Sequence, residues 1–271
     1  MKLIAFDIDG TSIKKNRRVA ESTLRILQQL HDDGYILVPT TGRSLDGIPK
    51  SIKALNICDY AISSNGAVIT NLKTGETLAK TVFSPERAAK VLDIIRPYRL
   101  WTSLHIENEC YDSTWLQKTV RRVFFHGDFL HNRFIHNPAK YVREHQTEVE
   151  KIQVFSLSKH KLKRLLKELD VIADVAYPMS SKNYYEITNK GAEKGIALTE
   201  LCQHLNVPLT EVFAIGDDVN DISMLRVAGI SVAMGNAKPE VASEAMYVTG
   251  SNNENGFANA FQLYLYNQKE A

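Results

Sequence analysis

Four apolar residues, Leu3-Ile4-Ala5-Phe6, open the chain and stop at Asp7-Ile8-Asp9-Gly10. A short apolar run without polar alternation predicts a strand buried on both faces. Residues 20–31 carry Leu24, Leu27 and Leu30 at helical spacing, with Gly34 beyond them as a stop, which predicts an amphipathic helix. Apolar runs at 35–38 and 60–62 predict a second and a third strand. Each runs out into a polar cluster, Pro39-Thr40-Thr41-Gly42-Arg43 after one and Ser63-Ser64-Asn65-Gly66 after the other. Residues 67–70 and 77–82 flank Lys73-Thr74-Gly75 as a hairpin. Strands alternating with a helix, with polar residues gathered at strand C-termini, make the pattern of an open parallel α/β sheet, which binds ligands along that edge.

The middle of the chain reads differently. Ser84-Pro85-Glu86 supplies an N-cap, a first-turn proline and an acidic first turn, so a helix follows with Val91, Leu92 and Ile95 inward. Residues 159–169 form a basic amphipathic helix with Leu162, Leu165, Leu166 and Leu169 on one side. Residues 171–177 and 184–188 read as strands. The last third returns to α/β alternation: a helix over 193–205 with Leu198, Leu201 and Leu205 inward, then a strand at 212–215 that ends in Gly216-Asp217-Asp218-Val219-Asn220-Asp221. A helix over 222–228 and a strand over 230–233 follow. Residues 84–184 hold 17 Lys and Arg against 12 Asp and Glu, and the remainder holds 16 against 19. This asymmetry predicts two domains, with an anionic ligand at the positive one. If the flanks form one sheet, the middle is an insertion closing over its active edge.

Composition narrows the class. With 271 residues and 44% apolar content the chain can bury a large core. A net charge of only +2 argues against a dedicated nucleic-acid binder. Cys58, Cys110 and Cys202 are odd in number and far apart, so they read as small apolar residues in a reducing compartment. The start, Met1-Lys2-Leu3, is not a signal peptide, and no stretch approaches the ~18 apolar residues of a membrane span. These readings predict a cytoplasmic protein with no membrane or nucleic-acid partner, either a monomer or a weak homo-oligomer.

Asp7 and Asp9 are a puzzle where they stand. Burying one unpaired carboxylate is costly, and a second beside it adds like-charge repulsion. Asp217, Asp218 and Asp221 gather at another strand end, and Lys194 opens a helix. An all-oxygen donor set suits Mg²⁺, and a lysine with a threonine hydroxyl suits a phosphate. An aspartate so placed can attack phosphorus. A second acid two residues on can protonate the leaving alkoxide and later activate water, for which Asp9 must first carry a proton. Each cluster also has a plainer reading: turns at Asp7-Asp9, Thr41-Gly42-Arg43 and Asn65-Gly66, a helix cap at 217–221, a solvated lysine at 194. Their joint occurrence favours chemistry. His126, His131 and His136 recur every five residues and do not share a helix face, so they read as scattered rather than as a zinc site. Arg121-Arg122 and the lysines of 159–167 read as solvated faces, and Trp101 and Trp115 as core of the middle domain.

Asp7-Ile8-Asp9-Gly10-Thr11, Thr41-Gly42-Arg43, Lys194-Gly195 and Gly216-Asp217-Asp218-Val219-Asn220-Asp221 resemble, in order, the four motifs of the haloacid dehalogenase superfamily of phosphatases. Ser64-Asn65-Gly66-Ala67, Met224-Leu225, Val232-Ala233-Met234-Gly235-Asn236-Ala237 and Asn255-Gly256 resemble its Cof-type branch, subfamily IIB. The resemblance implies an α/β fold, a Rossmann-like three-layer core with a parallel sheet over 1–83 and 185–271, and an inserted α/β cap over 84–184 that sets specificity. It implies Asp7 as nucleophile and Asp9 as acid/base. Mg²⁺ would be held by Asp7, the Asp9 carbonyl and Asp217, with Asp221 a further ligand or an orienter of metal-bound water. Thr41 and Lys194 would hold the phosphoryl group, Asn220 would face it, and Gly10, Gly42, Arg43 and Asn65 would be further contacts. The family usually has Leu at Ser12, and Gly is also common at Asp218. The implied activity is Mg²⁺-dependent hydrolysis of a small phosphorylated metabolite, a sugar phosphate or a phosphorylated cofactor, through an aspartyl-phosphate on Asp7. The alternatives are a phosphohexose mutase of the same superfamily and a non-catalytic phosphometabolite-binding regulator.

Overall fold

The computed structural model describes residues 1–115, 117, 133–181 and 183–267. Arg121, Arg122, His126 and His131 lie outside the described residues. The chain divides into two compact units: one comprises Met1–Arg43, Ile48–Ala79 and Glu193–Ala271, the other Ser44–Gly47 and Lys80–Ala192. The chain crosses between the units at 43/44, 47/48, 79/80 and 192/193, the last two near the 83/84 and 184/185 read from sequence. The strand Tyr184–Asn189 explains the last displacement, because it pairs with Lys151–Phe155 inside the inserted unit.

The first unit is built on a five-stranded, all-parallel sheet in the order Tyr247–Val248, Ile230–Ala233, Val212–Gly216, Leu3–Phe6, Ile36–Pro39. Leu3–Phe6 is central and wholly buried, as its unbroken apolar run requires. The two-residue period of a strand splits the sheet's side chains between two layers. Leu3, Ala5, Val212 and Ala214 pack with Leu198 and Leu201 of the Lys194–His204 helix and with Met224 and Leu225 of Ile222–Val227. On the alternate positions, the Phe6 and Phe213 rings meet Phe257 and Phe261 of the Gly256–Phe261 helix at centroid distances of 5.8 and 4.8 Å. Gly195 lets the Lys194–His204 helix approach Ile222–Val227 closely, since a Cβ there would lie 2.2 Å from the Ser223 carbonyl oxygen.

Two expectations are corrected. The Glu21–Asp32 helix buries Thr23, Ile26, Leu27 and Leu30, leaving Leu24 half-buried. The true stripe runs i, i+3, i+4, i+7 from Thr23. Tyr60–Ser63 does not extend the parallel sheet as a full strand. It pairs antiparallel with Val68–Asn71 in a separate three-stranded sheet that includes Thr77–Lys80, and lies beside Ile36–Pro39 with the parallel bridge Thr40↔Ile62 just beyond that strand's end.

In the second unit the sheet runs Val175–Ala176, Tyr184–Asn189, Lys151–Phe155, Trp101–Ile106, Glu109–Asp112, Arg133–Phe134, with Met179–Ser181 also on Tyr184–Asn189. Leu104, Ile106, Ile152, Val154 and Ile187 form a core with the Pro85–Ile95, Pro138–His145 and Lys159–Leu169 helices. Ser84 caps the first of these as its sequence predicts, its hydroxyl accepting from the Arg87 amide. Ser103, His105, Lys151, Gln153 and Glu186 occupy the alternate strand positions and are buried. The strand read at 171–177 shortens to Val175–Ala176 because Asp174 takes a left-handed φ of 59° and Val171 stands out in solvent. Trp115 is 71% exposed and so is not core. Among the described residues no helix is long and apolar enough to cross a membrane.

Candidate active site

The two central strands of the parallel sheet deliver the acids. Asp7 follows Leu3–Phe6 and keeps its amide on the ladder, donating to Ile215 O at 3.0 Å, and the residue is only 5% exposed. Asp217 follows Val212–Gly216, and Asp221 closes the single turn Val219–Asp221. Lys194, at the first turn of its helix, is equally buried. Its Nζ donates to Asp7 Oδ1 and to Asp221 Oδ1, both at 2.6 Å. The other oxygen of Asp221 accepts the amides of Asp217 and Asp218 at 2.8 and 3.0 Å. Both oxygens of Asp221 thus accept hydrogen bonds, Oδ1 only one, while Asp7 Oδ2 carries none among the described residues.

Asp7, Asp217 and Asp221 each offer an oxygen within 4.8 Å of the others. One ammonium stands against three carboxylates, so negative charge is in excess. Burial, reinforced by Asp221 and Asp217, pushes the Asp7 carboxyl well above its usual range despite Lys194. Burial, followed by the charge of Asp221, raises Asp217 to about 7. For Lys194, burial acts to lower the pKa, but Asp221 and Asp7 outweigh it and hold the ammonium charged. A cluster of this kind takes up protons or a cation. Its carboxylate oxygens fit Mg²⁺, a hard ion bound by a few carboxylates and water.

Asp9 stands apart. Its side chain is 59% exposed and both oxygens accept from Arg43, Oδ2 from Nε at 2.6 Å and Oδ1 from Nη2 at 2.7 Å. Thr41 is buried, and its hydroxyl accepts the Arg43 amide at 3.1 Å, which shapes the loop that aims Arg43. Asn65 accepts through Oδ1 from Asn220 Nδ2 at 3.0 Å, joining the third and fourth polar clusters. Ser64, Asn65 and Gly66 all have positive φ, of 52°, 64° and 95°. Three left-handed residues in succession persist only where surrounding bonds hold them, here amides donated to Arg43 O, Thr41 O and Ser63 O. Gly42 packs against Asn65, where a Cβ would lie 2.7 Å from Oδ1. Gly10 has a φ of 82°, and a Cβ there would lie 2.1 Å from Asp217 Oδ2.

Sequence reasoning assigned no role to Thr11, Asn236 or Asn252. Thr11 Oγ1 donates to Asp217 Oδ1 at 2.8 Å, and Asn236 Nδ2 donates to Asp217 Oδ2 at 3.1 Å and to Gly10 O at 2.9 Å. Asn252 buttresses Asn236, its amide donating to Asn236 Oδ1 at 2.8 Å, and its Nδ2 reaches Ile13 O. A signal existed for Asn236, which follows the strand Ile230–Ala233 as the other polar clusters follow theirs. Ser12 places its hydroxyl on Ile8 O at 3.3 Å, which satisfies a polar group at an apolar packing position. Asp218 caps the Val219–Asp221 turn and pairs with Lys238 at 2.7 Å.

A family model described as haloacid dehalogenase-like hydrolase matches residues 4–261. The chain is 30% identical over 294 residues to phosphatase YwpJ of Bacillus subtilis, an alignment that covers 98% of this chain and 100% of that protein. Among solved structures, it is similar to a haloacid dehalogenase-like hydrolase from B. subtilis, with a TM-score of 0.85 at 29% identity over 98% of this chain and 100% of the other. It is also similar to the HAD subclass IIB sugar phosphatase BT4131, with a TM-score of 0.81 at 27% identity over 97% and 99% of the two chains.

Proposed function

The chain belongs to the haloacid dehalogenase-like hydrolases and is a phosphatase of subclass IIB, and we propose that it hydrolyses a small phosphorylated metabolite, a sugar phosphate or a phosphorylated cofactor, through a phosphoryl group carried on Asp7. The observation that carries this reading is the Lys194 ammonium, 2.6 Å from both Asp7 and Asp221 within a three-carboxylate cluster. Lys194 restrains Asp7 through Oδ1, and we assign attack on phosphorus to the open Oδ2. In the first step a bond forms between Asp7 and phosphorus, the ester P–O bond breaks, and Asp9 gives its proton to the departing alkoxide. In the second, Asp9 takes a proton from water as its oxygen attacks phosphorus, the Asp7–P bond breaks, and inorganic phosphate leaves.

Both oxygens of Asp9 accept from Arg43, the pose of an ionised carboxylate, so Asp9 must turn out of that fork and take up a proton from water before the first transfer. A phosphate is itself a bidentate partner for a guanidinium, so an arriving substrate competes for Arg43 and frees Asp9. Lys194 and the Thr41 hydroxyl hold the phosphoryl group, Asn220 and Asn65 face it, and Gly10 and Gly42 are further contacts whose missing Cβ atoms let Asp217 and Asn65 come close. Mg²⁺, held by Asp7, Asp217, Asp221 and the Asp9 carbonyl, would neutralise phosphate oxygens and so favour attack by an anion. Selection among leaving groups we assign to the inserted residues 84–184.

Phosphate release from an ester panel is expected to require Mg²⁺ and to vanish in Asp7→Asn. Acid-quenched single turnovers should leave label from a ³²P-ester on the protein, lost on treatment with hydroxylamine as an acyl phosphate is. Near wild-type turnover in Asp7→Asn, or no hydroxylamine-labile label, would sink the covalent mechanism.

A further inference from the structure

Within the inserted unit a cavity of about 490 Å³ opens at the end of the Pro85–Ile95 helix. That volume suits a small organic molecule. Leu92, Ile95, Leu100 and Ala139 give it an apolar floor. Arg96, Arg99 and His136 also line it and are exposed, and among the described residues no Asp or Glu lines it. Neither arginine has an ion-pair partner among the described residues. A further basic group stands beside them: Lys161 Nζ donates to the Tyr98 carbonyl at 3.2 Å, between the two arginines in sequence.

Two features constrain the occupant. The basic rim without acids selects an anion, and a guanidinium pair matches the planar or trigonal oxygens of a carboxylate, sulfonate or phosphate. The apolar floor is wasted on an inorganic ion and rewards a hydrocarbon or aromatic body removed from water. We propose that this cavity is a second binding site, for a small amphipathic anion whose acidic group lies on Arg96 and Arg99 and whose apolar body lies on Leu92, Ile95, Leu100 and Ala139. The described lining residues all belong to the inserted unit, not to the unit that carries Asp7, Lys194 and Asp217. The proposal therefore stands independently of the phosphatase mechanism.

The test uses the full chain and 8-anilinonaphthalene-1-sulfonate, an apolar anion that is not a phosphate ester, read by its fluorescence. Saturable binding is expected. The paired substitution Arg96→Ala with Arg99→Ala should weaken it at least about tenfold, the equivalent of one lost charge-assisted contact of ~1.4 kcal/mol. Both side chains are exposed, so an unchanged Tm should accompany that loss. The neutral analogue N-phenyl-1-naphthylamine should bind more weakly than the sulfonate to the wild type and equally to both proteins. Asp7→Asn should leave sulfonate binding unchanged. Ala139→Leu, which fills the floor and keeps the arginines, should weaken both probes. The proposal is overturned by non-saturable binding, by equal sulfonate affinity in the arginine variant, by a neutral probe that binds as tightly as the sulfonate, or by loss of binding in Asp7→Asn.

Discussion

Replacing Asp217 by Asn isolates the excess charge of the acid cluster. Burial and the neighbouring Asp221 raise the Asp217 carboxyl from 3.8 to about 7. A group whose folded pKa is raised contributes stability in its neutral form; that contribution is whole below the unfolded value and is lost as pH rises through the folded one. In metal-free protein at pH 8 the ionised carboxylate therefore costs up to about 4 kcal/mol, from about 3 pH units at ~1.36 kcal/mol each. Asn removes the charge and can still accept from Thr11, but its NH₂ group then faces Asn236 Nδ2, which donates to Asp217 Oδ2. That lost bond costs about 2 kcal/mol. The net expectation is a metal-free variant about 2 kcal/mol more stable than wild type at pH 8, or roughly 5 °C in Tm. At pH 5 the wild-type carboxyl is already protonated in the fold, so the advantage shrinks to near zero. Added Mg²⁺ should reverse the order, because it stabilises only the protein that binds it. Thermal melts of both proteins at pH 5 and pH 8, each with chelator and with Mg²⁺, give eight curves that decide the matter. A variant less stable than wild type at pH 8 without metal, or one with an undiminished Mg²⁺-induced rise in Tm, refutes the reasoning.

Three further outcomes are expected. Lys194→Met leaves Asp7 and Asp221 buried without their shared ammonium, so it should cost about 3–5 kcal/mol in denaturant unfolding as well as all turnover. Asp9→Asn should lower kcat by roughly 10²–10⁴-fold with Tm nearly unchanged, because the side chain is 59% exposed and Asn can still accept from Arg43. Gly10→Ala forces a left-handed alanine against Asp217 Oδ2, so the Mg²⁺-induced rise in Tm should disappear on calorimetry even where the fold survives.

The parts of the fold legible in sequence are those governed by local pattern. Leu3–Phe6 and Val212–Gly216 are apolar runs that stop at acids, and both the central strands and the acids at their ends follow from that. Ser84-Pro85 likewise announces a cap that the Arg87 amide satisfies. What local pattern does not carry is pairing. Tyr60–Ser63 looks like any buried parallel strand, yet its partner is Val68–Asn71, reached through a left-handed loop. Tyr184–Asn189 looks continuous with the helix that follows it, and only its bonds to Lys151–Phe155 assign it to the inserted unit. In Glu21–Asp32, Leu24 has the hydrophobicity to be core, but the face is decided by Ile26, Leu27 and Leu30 together with Thr23. Thr11 and Asn252 were illegible as site residues because small polar residues in loops have many ordinary uses, whereas Asn236 at least stands at a strand end; their value here lies in the bonds made to Asp217 and between Asn236 and Asn252.

Asp7 and Asp9 are identical side chains two residues apart, and backbone position gives them different environments, which suit the different roles proposed for them. Asp7 is the last residue to keep a ladder bond, through its amide to Ile215, so it inherits the burial of the strand and meets Lys194. One residue of Ile8 later the ladder is gone, Gly10 turns the chain with a φ of 82°, and Asp9 faces solvent and Arg43. A nucleophile benefits from the first environment: it is fixed by the bond to Oδ1, stripped of water, and left with one open oxygen. A proton carrier benefits from the second, because it must rotate between a resting partner and the leaving group and exchange protons with water in between. Interchanging the two environments would give a buried acid unable to move and an exposed nucleophile solvated by water, and neither would serve. The division of labour proposed for the two acids thus follows from the point at which the strand ends.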